Sequence, residues 1–183
     1  GFINVADTVS GVAIGLLNLV RHGYNRTELN YQSTGLNANL AFKLGTRRFY
    51  NILQTGLAFD DPFRLKTGKI IAWGLGYGIG SVIPLGGSRW QSNVEVTANH
   101  VNEGTFWQDR FNLLSQGKLT LGYQTGKRLS LFVGAQINLM LSDLITPENS
   151  PGSVLATAPF YENTDALGRT TQMWWGWSAG IRF

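Results

Sequence analysis

The chain contains no cysteine, which excludes a disulfide framework, a thiolate metal site and a cysteine nucleophile. It is also short of charge. Asp, Glu, Lys and Arg make up only 14% of the residues, against roughly a quarter in soluble domains, so part of the surface is expected to face something other than water. Imidazole chemistry has two histidines to draw on, His22 and His100. The net charge of +4 comes from lysines and arginines scattered in ones and twos, a solvated distribution rather than a basic patch, and no nucleic-acid partner is expected. Long apolar runs are missing as well. Residues 70–83 carry no charge but fall short of the roughly 20 residues a helix needs to cross a bilayer, and each glycine there would cost a helix about 1 kcal/mol relative to alanine. No segment carries the period of an amphipathic helix.

Glycine and aromatic side chains are abundant instead, with 23 glycines and 12% aromatics. In IIAWGLGYGIG, residues 70–80, glycine occupies every second position from Gly74 to Gly80, and Trp73, Leu75, Tyr77 and Ile79 fill the gaps. A phosphate loop does not fit. Ser81 stands where a dinucleotide fingerprint would need its third glycine, and no Gly-Lys-Ser/Thr follows. The period of two predicts a strand with large apolar groups on one face. Its glycines either make room for bulkier groups inside a narrow enclosure or serve strand curvature.

The same alternation predicts ten strands, at about 2–6, 12–20, 26–32, 36–45, 49–60, 70–83, 89–102, 113–125, 129–142 and 173–183. Apolar stripes run through Leu36, Ala38, Leu40, Phe42 and Leu44, through Trp90, Val94, Val96 and Ala98, through Leu119, Leu121 and Tyr123, and through the odd positions from Leu129 to Leu141. The opposite face is rich in Gly, Asn, Gln, Ser and Thr. Several strands reach the roughly 9 to 11 residues of a tilted membrane strand, and tight connections (GTRR, PLGGS, TGKR) alternate with long ones (61–68, 103–112, 144–172). These features predict an all-β fold, an antiparallel transmembrane β-barrel of about 10 strands, with residues 1–183 as a single domain. Both termini are expected on the short-turn side, the periplasm.

The last residues, MWWGWSAGIRF, place Met173, Trp175, Trp177, Ala179, Ile181 and Phe183 on one face. This resembles the C-terminal signal strand of bacterial outer-membrane proteins, and the resemblance implies recognition by the barrel-assembly machinery, with Trp175, Trp177, Ile181 and Phe183 as the signal. At the other end, Gly1-Phe2-Ile3-Asn4-Val5-Ala6 recurs as Gly15-Leu16-Leu17-Asn18-Leu19-Val20, a spacing of 14 residues that fits one strand plus one turn. This is similar to the surface-repeat outer-membrane proteins of Gram-negative bacteria, whose repeats read G-hydrophobic-hydrophobic-N-hydrophobic-A. The resemblance implies location and fold and brings no catalytic residue. It also implies that the chain is the C-terminal part of a longer one, with 12 or more strands if others lie upstream.

Chemistry is sparse. Alternation points Glu28, Lys43, Glu95, Lys118 and Arg182 inward. They are expected either to pair and block the lumen or to stay separately hydrated and select ions. Arg64, Lys66 and Lys69 cluster in one long loop as candidate contacts to lipopolysaccharide phosphates. Lipid-A deacylase barrels use His-x-Ser with a nearby Glu. Here Asn99-His100-Val101-Asn102-Glu103 has asparagine in the serine's place, and asparagine cannot attack an ester in this way. Glu148, Asn149, Glu162, Asn163 and Asp165 lack the spacing of a calcium loop, so no metal, cofactor or catalytic residue is expected. The expected role is a non-enzymatic, structural or accessory barrel in a membrane protein complex, with outer-membrane lipid and other outer-membrane proteins as partners. A small porin-like channel and a lipid-A-modifying enzyme are the alternatives.

Overall fold

In the computed structural model the described residues are 3–7, 15, 17–61, 68–86, 89–126, 128–146 and 149–183. The chain forms β1 (Ile3–Ala6), β2 (Leu17–Val20), β3 (Arg26–Gln32), β4 (Ala38–Gly45), β5 (Tyr50–Phe59), β6 (Ile70–Pro84), β7 (Trp90–Glu103), β8 (Asn112–Gln124), β9 (Ser130–Ser142), β10 (Tyr161–Thr164) and β11 (Thr170–Arg182). Strands β3 to β9 pair in sequence as an antiparallel meander, and β11 closes the ring by pairing with both β9 and β3. Closure gives every strand of the ring a neighbour on both sides. The closed barrel therefore has eight strands rather than ten.

The two missing strands are the first two in the chain. β1 and β2 form a separate parallel pair, whereas a meander needs antiparallel neighbours. The 14-residue spacing is thus not a strand plus a hairpin turn. A strand also stands inside the connection expected at 144–172. β10 pairs with Thr170–Met173 of β11, along the edge that β3 leaves open beyond Gln32.

The barrel is inside-out. Along β9, Leu131, Val133 and Ala135 are exposed while Phe132, Gln136, Asn138 and Met140 are buried. Among the described residues, buried polar and charged side chains outnumber buried hydrophobic ones, and a band of large apolar groups lies outside, including Leu75, Ile79, Val96, Leu119, Val133 and Trp175. Leu36 departs from its expected outward stripe. β4 begins only at Ala38, and the preceding turn folds inward, leaving Leu36 with no exposed surface.

The β6 glycines face the interior and accommodate neighbours there. A methyl group at Gly74 would lie 2.9 Å from Leu36 and one at Gly80 would lie 2.6 Å from the Tyr50 ring, while Gly76 gives way to Asn99 and Gly78 to Thr97. Loop lengths segregate with one exception, the short β3–β4 connection at residues 33–37, which lies at the end opposite Phe183. The tight connections β4–β5, β6–β7 and β8–β9 lie at the end holding Phe183, whose backbone bonds Thr27. The connections β5–β6, β7–β8 and β9–β11 are longer and lie at the other end.

Candidate functional site: a layered interior

Successive inward positions stack into three layers. At the short-turn end, β3, β4, β7, β8 and β11 each contribute one of Glu28, Lys43, Glu95, Lys118 and Arg182, all buried. Lys43 Nζ donates to Glu28 and, at 2.5 Å, to Glu95 Oε1. Arg182 donates from Nε to Glu28 Oε2 (2.5 Å), from Nη1 to Asn93 Oδ1 (2.8 Å) and from Nη2 to Thr120 Oγ1 (2.9 Å), with its guanidinium 3.9 Å from the centre of the Phe132 ring. Tyr50 donates its hydroxyl to Glu95 at 2.7 Å and accepts from Asn93 Nδ2 at 2.7 Å. The expected charge network is therefore assembled, with one departure. Lys118 is the register partner of Glu95, yet among the described residues it has no ion pair within 4.0 Å. Three basic side chains meet two carboxylates, so Lys118 is the one in excess.

Above it lies a layer of amides that the sequence reading did not single out. Gln116 Nε2 donates to Gln32 Oε1 and Asn138 Oδ1, both at 2.8 Å, Gln136 Nε2 approaches the same two acceptors at 3.3 and 3.2 Å, and Gln54 donates to Asn99 at 2.6 Å. The signal was present as inward Gln and Asn on neighbouring strands, but register across strands decides who meets whom.

The long-loop end is closed by an apolar cluster that includes Leu36, Val101, Leu114, Met140, Leu155 and Trp174. Leu155 comes from the β9–β11 connection, which is clasped to the rim. Glu103 accepts from Ser153 Oγ (2.5 Å), Val154 N (3.1 Å) and Asn112 Nδ2 (2.9 Å), and Gln172 accepts from Ser153 N at 3.0 Å. Gly152, at φ 119°, sits where a Cβ would meet Gln172, so glycine allows both the backbone turn and the close approach.

No family, curated protein or solved structure matches this chain.

The geometry offers little for catalysis at the histidine. His100 lies against Trp107, ring centres 5.0 Å apart, and Asn102 Oδ1 accepts from Gln108 N at 2.7 Å. Ser153 and Glu103 are in contact, but both are spent on the loop clasp. At the rim, a cavity of about 740 Å3 is lined by Trp73, Phe106, Ile70, Ile145, Val154 and Asn102. Lys69 is exposed beside it, whereas Arg64 and Lys66 lie outside the described residues. Glu148 does too. Glu162 accepts from Gln172 and Asp165 holds the turn at Leu167 and Arg169. Trp175, Trp177 and Ile181 share the outer face of β11 and Phe183 follows its end, with Trp175 the most exposed of them. At the mouth of the barrel, Asp143 and Arg169 form a two-pronged ion pair at 2.7 and 3.1 Å, and the hydrogen bonds from Arg169 hold the Asp143 carboxyl below its ordinary range.

Proposed function

We propose that this chain is a membrane-spanning β-barrel of the bacterial outer membrane with a sealed lumen, acting as a non-enzymatic structural or accessory component of a membrane assembly. The observation that carries the reading is the inverted burial: glutamines, asparagines and paired charges inside, leucine, isoleucine, valine and tryptophan outside. In water such an exterior would associate or aggregate, whereas lipid solvates it and the closed ring satisfies the backbone without help from water. Loop asymmetry favours an orientation with the short turns and both termini in the periplasm, and the aromatic strand ending at Phe183 supports handling by the barrel-assembly machinery. Lys69 beside the rim cavity supports contact with lipopolysaccharide.

Sealing follows from size. An eight-stranded ring is just wide enough for its own side chains to fill, and here an ion-paired layer, an amide layer and an apolar cap fill it in turn. A conducting pore would need a continuous wet path through all three. The enzyme reading is disfavoured by Asn102 in the place of a serine and by the commitment of Ser153 to Glu103. The test is conductance of the purified protein in planar bilayers. No stable single-channel steps are expected. Reproducible steps weakened by Lys118→Ala or Glu95→Ala would replace the sealed barrel with a pore, and a change in lipid-A composition on expression would favour the enzyme.

A further inference from the structure

The pairing of β1 with β2 ties the sequence repeat directly to the structure. The ladder joins Ile3 to Leu17, Asn4 to Asn18, Val5 to Leu19 and Ala6 to Val20, so every residue lies beside its counterpart 14 positions on. The register continues past the strands. Arg21 N donates to Ala6 O at 3.0 Å, His22 N donates to Asp7 O at 3.1 Å, and the Arg21 guanidinium lies 3.9 Å from the Asp7 carboxylate. One repeat is therefore stacked on the next, in the manner of successive coils of a parallel solenoid.

This geometry makes the repeat self-complementary. β2 packs against β4 and β5 of the barrel, and just before it the Gly15 carbonyl accepts from Asn51 at 3.2 Å. β1 has β2 on one side only, and among the described residues no strand pairs with its other edge. An open strand edge offers backbone donors and acceptors to a further strand, and β2 already shows which sequence this repeat accepts and in what register.

We propose that the outer edge of β1 is an acceptor for another strand of the same 14-residue repeat, added parallel and in register, with the barrel serving as the base on which repeats stack. The residue 14 positions before Asp7 in the added repeat falls beside Asp7, as Asp7 falls beside Arg21. A cation there is favoured and an aspartate disfavoured, because like charges on adjacent strands repel. The inference does not depend on the membrane reading.

The test is hydrogen exchange on the full chain carrying one added copy of residues 1–14 ahead of Gly1, with arginine in place of the copy's aspartate. Amides of β1 are expected to exchange about tenfold more slowly than in the parent, while those of β9 stay unchanged as an internal reference. A control copy with proline at the positions corresponding to Asn4 and Ala6 should give no slowing, because Ala6 accepts from Arg21 and so marks the positions that face the following repeat, and proline there cannot donate to the ladder. Adding the arginine-bearing copy as a free peptide separates the sources. Slowing by the peptide means that another molecule can supply the strand, and slowing only in the fused chain means that the same polypeptide must. If neither form slows exchange in β1, or the proline copy slows it equally, the proposal is wrong.

Discussion

The two buried lysines should respond oppositely to the same substitution. Lys43 is the bridge of the charge layer, holding Glu28 and Glu95 together. Lys43→Met would leave Glu95 with the Tyr50 hydroxyl and an Arg182 guanidinium 4.0 Å away. Removing one partner of a buried ion pair costs about 3–5 kcal/mol, because the other charge stays desolvated. Lys118 has no such partner. Replacing it with methionine keeps the volume, leaves the Lys43 and Arg182 bonds in place and removes the basic group in excess, so Lys118→Met should be neutral or stabilising. Urea unfolding in lipid vesicles, followed by tryptophan fluorescence, measures both. With a slope of about 2 kcal/mol/M, Lys43→Met should lower the midpoint by roughly 2 M and Lys118→Met should leave it in place or raise it. Adding Glu95→Gln to Lys43→Met should recover part of the loss, since Glu28 keeps Arg182. If Lys118→Met costs as much as Lys43→Met, the assignment of Lys43 as the bridge and Lys118 as the basic group in excess fails.

Three further outcomes are expected. Gly80→Ala should destabilise the barrel by about 1–3 kcal/mol through overpacking against the buried Tyr50 ring, whereas Gly86→Ala, with nothing near its Cβ, should be silent in the same unfolding assay. On whole cells an impermeant thiol reagent should label a cysteine at Leu167, which is 94% exposed, and should not label one at Arg128 in the β8–β9 turn; the reverse pattern would invert the proposed orientation. The Asp143–Arg169 clasp should hold above the ordinary carboxylate value of 3.8 and be lost as pH falls through the lowered one, because Arg169 stabilises the ionised form. Exchange in residues 143–169 should accelerate over that range, and Asp143→Asn should remove the acid step.

The barrel wall was legible because alternation records which solvent each face meets. Phe132 and Met140 stand at even positions, opposite the apolar stripe from Leu129 to Leu141, and both are buried. The charge layer was legible for the same reason, since a charged residue in the polar register of an otherwise apolar strand has few neighbours to satisfy it. Which partner each charge takes was not legible. Glu95 and Lys118 are register partners and both point inward, yet Glu95 bonds Lys43 from three strands away. Across a narrow interior the distance between opposite walls is comparable to that between neighbours, so side-chain reach, and not strand adjacency, decides the pairing.

Two of the departures trace to what alternation does not encode. Leu36 continues the alternation of β4 by sequence, but alternation only predicts direction while the backbone remains extended. The turn before Ala38 breaks that condition and sends the side chain into the apolar cap. Residues 2–6 and 12–20 likewise alternate as any half-buried strand does, and hydrophobic period carries no information about whether the neighbouring strand runs parallel or antiparallel. The information lay in the repeat. Two segments of one pattern placed antiparallel would set unlike positions against each other, so that a recurring asparagine would gain nothing from recurring. In parallel register each position meets its counterpart in the repeat, apolar beside apolar and Asn4 beside Asn18. A short repeat of one pattern in a β protein is therefore evidence for parallel stacking, and here it separates the first two strands from the antiparallel ring that follows.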